Sequence, residues 1–176
     1  MIILLSLLCS AFFSGMEIAY VSSNRLNLEI EKKQKGLIPK ILSIITKDPS
    51  RFISTMLIGN SFALVIYGLF MGQFIIDYLS FLFSPSMNEL TVLLLQTIIS
   101  TLLILIAAEF IPKVLFQIYS NFSMKIFSIP AYIFYIILYP VTGLVIIISN
   151  FILKTFFKVN TDDSEFSFSK VELENY

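Results

Sequence analysis

The chain has 176 residues, 57% of them apolar and only 14% charged, with a mean hydropathy of +0.87; a soluble domain of this size is nearer half apolar and a quarter charged. Its 12 cationic and 12 anionic side chains cancel, so no overall field draws a nucleic acid. There is no His and one Cys, Cys9, which excludes an internal disulfide, a His/Cys metal site and any enzyme built on a histidine base; a metal here must be a hard cation held by oxygen.

Three stretches are apolar over the roughly 20 residues a bilayer-spanning helix needs: about 1–22, 52–78 and 90–112. The first carries one charge, Glu17, and no Lys or Arg precedes it, so it is read as a membrane helix and not as a cleaved signal. Residues 24–49 mix apolar and charged side chains, and Gly36 and Pro39 divide them into two short helices lying on the membrane surface. The segment 25–51 holds seven Lys/Arg, whereas 77–89 holds none. Lys/Arg bias therefore puts 25–51 in the cytoplasm and the N-terminus outside. The next apolar stretch, 126–157, has Lys113 and Lys125 before it and Lys154 and Lys158 near its end, and Pro140 near its middle. Its 28 uncharged residues are too few for two spans of about 20 each. A helical hairpin broken at Pro140 and dipping into the cytoplasmic leaflet fits; the alternative is a fourth span kinked there. The expected fold is all-α: three membrane helices, surface helices on the cytoplasmic side and a Pro-broken hairpin. Residues 159–176 form an acidic linker towards an absent cytoplasmic region.

Ionisable residues inside a membrane are costly and mark function. Glu17 and Glu109 are the two here, with Ser14 on the face of Glu17 and Lys113 on the face of Glu109. At 1.5 Å per residue, Ser14 and Asn60 lie about 15 and about 13 Å inside the membrane, at one level on antiparallel helices. Pro112 has no N–H to give the Ala108 carbonyl, and Gly59 allows close approach to its own carbonyl. Hydroxyl, amide, carboxylate and backbone oxygens suit Mg2+ or a similar hard ion. The same Ser, Asn and Gly residues also suit simple helix packing, and both readings stand at this point. Gly68 and Gly72 form a GxxxG pair that fits either a dimer interface or packing within one chain.

Phe12-Phe13-Ser14-Gly15-Met16-Glu17-Ile18-Ala19, followed by Ser22-Ser23-Asn24-Arg25-Leu26, resembles the opening motif of the transmembrane (DUF21) domain of CNNM/CorC proteins. Thr55-Met56-Leu57-Ile58-Gly59-Asn60 and Glu109-Phe110-Ile111-Pro112-Lys113 resemble two further motifs of that domain, in the same order, and the likeness spans residues 1–157. The resemblance implies a homodimeric Mg2+ transporter of the cell (inner) membrane, exporting and coupled to inward Na+, with cytoplasmic CBS-type domains attached to the linker. The alternative is a Mg2+-binding sensor or scaffold that does not transport. Carried over by motif, the ion ligands would be Ser14, Asn60 and Glu109 side chains, with backbone carbonyls near Gly59 and in the first helix. Glu17, Ser22, Ser61, Ala108, Pro112 and Lys113 would surround them or serve the coupling ion. The chain departs from the family pattern at Ser61, where a second Asn is common, and at Met16, where a small residue is usual.

Overall fold

The computed structural model describes residues 1–82 and 88–157. The acidic linker expected over 159–176 lies outside the described residues. Every regular element among those described is a helix, and three are long and apolar enough to cross a membrane, so the chain is an all-α, multi-pass membrane protein. Contacts divide it into two compact units, one spanning Met1–Leu138 and the other starting at Tyr139.

Helix α1 (Ile2–Ser22) runs to the Asn24 corner. The Asn24 side chain accepts from the Leu26 and Asn27 amides and so caps α2 (Arg25–Lys32). Gly36, at φ +148°, makes the turn into α3 (Leu37–Ile45) in a conformation that disfavours any side chain. Pro39 does not divide the surface helices as expected: it lies in the first turn of α3, where its missing N–H has no helical partner to lose, and it is buried with Leu42 and Ile45. Asp48 accepts from the Arg51 amide at 2.9 Å and Pro49 is the first residue of α4 (Pro49–Leu82), a cap followed by proline that starts the helix cleanly.

The third span is one continuous stretch, Leu90–Ile118, six residues longer at its end than the 112 boundary read from the sequence. It consists of α5 (Glu89–Leu103), a π-helical segment Ile104–Phe110, and α6 (Ile111–Ile118). Pro112 looked like a terminus because a proline inside an α-helix costs a bond and clashes. Here it sits in the first turn of a new α register opened by the π segment, so the helix continues past it. Single-residue breaks at Tyr119 and Phe127 then set off α7 (Ser120–Ile126) and α8 (Ser128–Ile137). The broken helix pair expected over 126–157 is present: Leu138 separates α8 from α9 (Tyr139–Phe157), and Pro130 and Pro140 each fall in a first turn.

Within the first unit α1 is the central helix. It packs along α4 and against the π segment, α6 and α7. Two apolar clusters form on it. The larger holds Phe13, Met16 and Ala19 with Leu42, Ile45, Phe52, Met56 and Met124. The smaller holds Tyr67, Met71 and Ile75, with Ile3 and Leu7 against them. Outside these clusters the apolar side chains of the spans face outward: Leu4, Leu5, Leu8, Leu69 and Leu93 are all more than half exposed, as lipid-facing residues are.

Candidate metal centre

Between the two apolar clusters runs a polar layer. On α1 the boundary falls between Leu7 and Phe13, and on α4 between Met56 and Tyr67. Ser10 occupies this interval on α1 and Asn60 on α4, and the Ser10 hydroxyl donates to the Asn60 amide oxygen at 2.5 Å. One turn further along α1 is Ser14, fully buried, whose Oγ has no hydrogen-bond partner. A buried hydroxyl left unpaired costs about 1–3 kcal/mol, so an oxygen in this state calls for an explanation.

Glycines bring the helices together here. A Cβ at Gly59 would lie 2.5 Å from the Phe13 ring, and one at Gly15 would lie 2.7 Å from the Phe116 ring. Gly59 thus lets α4 close on α1, and Gly15 lets α6 do the same from the other side. The Phe13 ring is itself wedged edge-on against Phe134, with ring centroids 4.8 Å apart.

The longer third helix also sets the depth of Glu109. Ser120 Oγ donates to the Ser22 carbonyl at 3.2 Å, so the end of α1 and the end of α6 are level. Counting inward from these ends, Ser14 is eight residues from Ser22 and Glu109 nine from Ile118, about 12 and about 14 Å along their helices. Glu109 is therefore no shallower than Ser14, and Lys113 lies within the span. The Lys113 ammonium is 3.8 Å from Glu109 Oε2, with the carboxylate side chain one-third exposed. Glu17, partly buried on α1, lies within electrostatic range of both.

The π segment adds backbone oxygen. The Ile111 N–H donates to the Ile106 carbonyl, five residues back. Pro112 follows and has no N–H. The Ala107 carbonyl is thus left without an α- or π-helical donor of its own, next to the Ala108 carbonyl, whose α-helical donor would be Pro112. π turns occur mostly as single-turn insertions and often at functional sites.

The other residues singled out in the sequence divide. Ser22 contributes its carbonyl to Ser120 and its side chain is exposed. Ser61 is exposed, and its hydroxyl folds back on the Leu57 carbonyl at 3.0 Å, away from the Ser10–Asn60 pair. Gly68 has open space beside it, whereas a Cβ at Gly72 would meet the Gln96 amide of α5 at 2.8 Å, so the GxxxG pair does not act as one unit within the chain. Ser10 was missed. Its signal was present in the sequence: Ser6, Ser10 and Ser14 recur every four residues, and all three are buried.

Among the described residues no three His, Cys, Asp or Glu side chains converge. A cation at this level would be held by hydroxyl, amide and carbonyl oxygens and one or two carboxylates, which is the donor chemistry of a hard ion. Ser14 Oγ, Asn60 Oδ1, Glu109 and the Ala107–Ala108 carbonyls fit that requirement. No curated protein matches the chain, but a family model does: CNNM, the Cyclin M transmembrane N-terminal domain, over residues 1–176. With its three spans, its polar layer and its full-length match, the chain belongs to the CNNM transmembrane-domain family.

Proposed function

We propose that the chain carries Mg2+ across the membrane through the oxygen-lined layer at Ser14, Asn60 and Glu109. Family membership supports a membrane role in metal-ion transport or one associated with it, in a transporter-type family that is not an enzyme family. The observation that carries the finer reading is Ser14: a fully buried hydroxyl with no partner, at the level of Glu109 and one turn from the Ser10–Asn60 pair. In a packing role that oxygen would be paired. As a ligand it is left open for the ion.

Glu109 supplies the anionic ligand. Lys113 Nζ stands 3.8 Å from its Oε2, and an arriving cation takes that place on the carboxylate. Asn60 Oδ1 and the freed carbonyl at Ala107–Ala108 complete a dehydrated shell. In the same reading the seven Lys/Arg of residues 25–51 face the cytoplasm, the protein works as a homodimer in the inner membrane, export is coupled to Na+ near Glu17, and CBS-type domains act from the cytoplasmic side.

The test is Mg2+ titration of the purified protein paired with flux in proteoliposomes. Glu109→Gln keeps the shape and removes the charge, so affinity is expected to fall at least tenfold, about 1.4 kcal/mol. Unchanged Mg2+ binding in that variant refutes the site. Binding without flux in the parent protein assigns the chain to the non-transporting sensor instead.

A further inference from the structure

The segment between the first two spans leaves the bundle and re-enters it at one level. Tyr20, two residues before the end of α1, packs on Phe52 in the first turn of α4, with ring centroids 5.1 Å apart. Both ends of the segment are thus tied to membrane helices at the same height, and α2 and α3 are confined to one membrane surface.

Both helices are apolar on two sides. On α2, Leu28 is buried in the core, while Leu26 and Ile30 are 74% and 61% exposed. At about 100° per residue, these two and Lys33 fall within about 60° of one another, on the side opposite Leu28. The next helix repeats the arrangement. Pro39, Leu42 and Ile45 of α3 are buried, and Leu37, Lys40 and Ile44 occupy about 60° on the other side, with Leu37 77% exposed. The cations of these outward faces have no anion of their own. Each carboxylate of the segment already holds another partner: Glu29 holds Lys32 at 2.6 Å, Glu31 holds Lys125 at 3.0 Å and Asp48 holds Arg51 at 3.3 Å. Lys33, Lys35, Lys40 and Lys47 are exposed and form no salt bridge among the described residues.

We propose that the outward faces of α2 and α3 dock anionic phospholipids, of the phosphatidylglycerol class, in the leaflet where α1 ends. The exposed aliphatic side chains enter the acyl boundary. The lysine stems lie along them, and the ammonium groups reach the lipid phosphates. A zwitterionic headgroup brings its own cation to the same place and gains less from the four lysines. An acidic solute would pair the lysines but leave the aliphatic side chains in water. The surface is independent of the cation layer: either can fail while the other stands.

The experiment is native mass spectrometry of the full chain, delipidated in detergent and titrated with phosphatidylglycerol and phosphatidylcholine of identical acyl chains. Phosphatidylglycerol is expected to bind about fivefold tighter, the worth of one lysine at an anionic surface. Changing Lys33, Lys35, Lys40 and Lys47 together to Gln should bring that preference to within about twofold of parity, and changing the same four to Arg should keep it. Should the fourfold Gln variant fail to fold, the pairs decide: Lys33→Gln with Lys35→Gln, and Lys40→Gln with Lys47→Gln, should each lower the preference. A second readout locates the face. With Cys9 replaced by serine, a nitroxide on a cysteine at position 37, in nanodiscs of the two lipids, should be reached more readily by oxygen than by a soluble nickel chelate. Equal binding of the two lipids, or a preference that survives neutralisation of the lysines, overturns the proposal. So does a nitroxide that the chelate reaches as in water, or one shielded from both reagents, since a protein surface or a second copy of the chain would then cover the face.

Discussion

Replacing Gly59 with alanine drives a methyl group into the ring of Phe13. The new carbon would lie 2.5 Å from the ring, about 0.9 Å inside the 3.4 Å at which ordinary contact begins. Phe13 cannot swing away, because it is 4% exposed and held between Phe12 and Phe134 at ring-centroid distances of 5.4 and 4.8 Å. The strain passes to the spacing of α1 and α4. Overpacking of this kind costs about 1–3 kcal/mol, offset by the gain of about 1 kcal/mol that any Gly→Ala change makes in a helix interior. Gly68→Ala on the same helix cancels that offset, since nothing lies within 4 Å of a Cβ there. The difference between the two variants therefore isolates the clash. At about 2–4 °C per kcal/mol for a chain of this length, Gly59→Ala should melt about 2–12 °C below Gly68→Ala. The assay is a thermal melt of both variants in one detergent, on monomer-sized material from size exclusion. Because Asn60 adjoins Gly59, the same change should stretch the Ser10–Asn60 bond and weaken Mg2+ binding. Coincident melts would refute the close approach of α1 and α4 at this level.

Ser14→Ala should leave the melting temperature without Mg2+ unchanged or raised, because the hydroxyl it removes has no partner. Its Mg2+-induced stabilisation should shrink with the loss of affinity, and a large drop in stability without Mg2+ would instead assign Ser14 to packing. Lys113→Gln removes the cation that competes for Glu109, so Mg2+ affinity by calorimetry should rise, by up to about fivefold for so exposed a pair; a fall would mean that Lys113 positions the carboxylate. A cysteine at Ile137, beside the Leu138 break and exposed, should resist a membrane-impermeant thiol reagent added from outside once Cys9 is replaced by serine. Labelling from outside would refute a cytoplasmic-side hairpin.

The spans were legible because hydrocarbon tolerates so few charges: the charge-poor stretches before Arg25, between Arg51 and Asp77, and between Glu89 and Lys113 mark them directly. Gly36 marked its corner in the sequence, and Asn24 and the Asp48-Pro49 pair form theirs by hydrogen bonds and a fixed φ that act locally. The π segment announced nothing. Ile-Leu-Ile-Ala-Ala-Glu-Phe reads as an ordinary α-helical run, and the wide turn falls where the span changes its packing partner from α4 to α1. Missing it also misplaced the end of the third span. Ser14, Asn60 and Glu109 could be singled out because polar groups in a membrane stand out one by one. Ser10 needed the four-residue spacing to be read as a face, and the outward turn of Ser61 needed the packed helices themselves.

The π segment also divides the labour of the third span. Its α5 half packs on α4, while the π segment and α6 pack on α1. Each residue of an α-helix advances the phase by about 100°, so the extra residue of the π turn works like a coupling between two shafts, each geared to a different neighbour. The wide turn absorbs its extra residue, so removing one, Ala107 for instance, would let the segment close to an ordinary α turn with α5 still facing α4. Gln96 would stay against Gly72 and Ser100 against Tyr67, whose hydroxyl it now meets at 3.4 Å. A cysteine pair at positions 67 and 100 that cross-links in the parent chain should then still do so, and its loss would refute the wide turn as the place where the extra residue is taken up. A residue can be gained or lost in this one turn without changing which helix faces which across the thickness of the membrane.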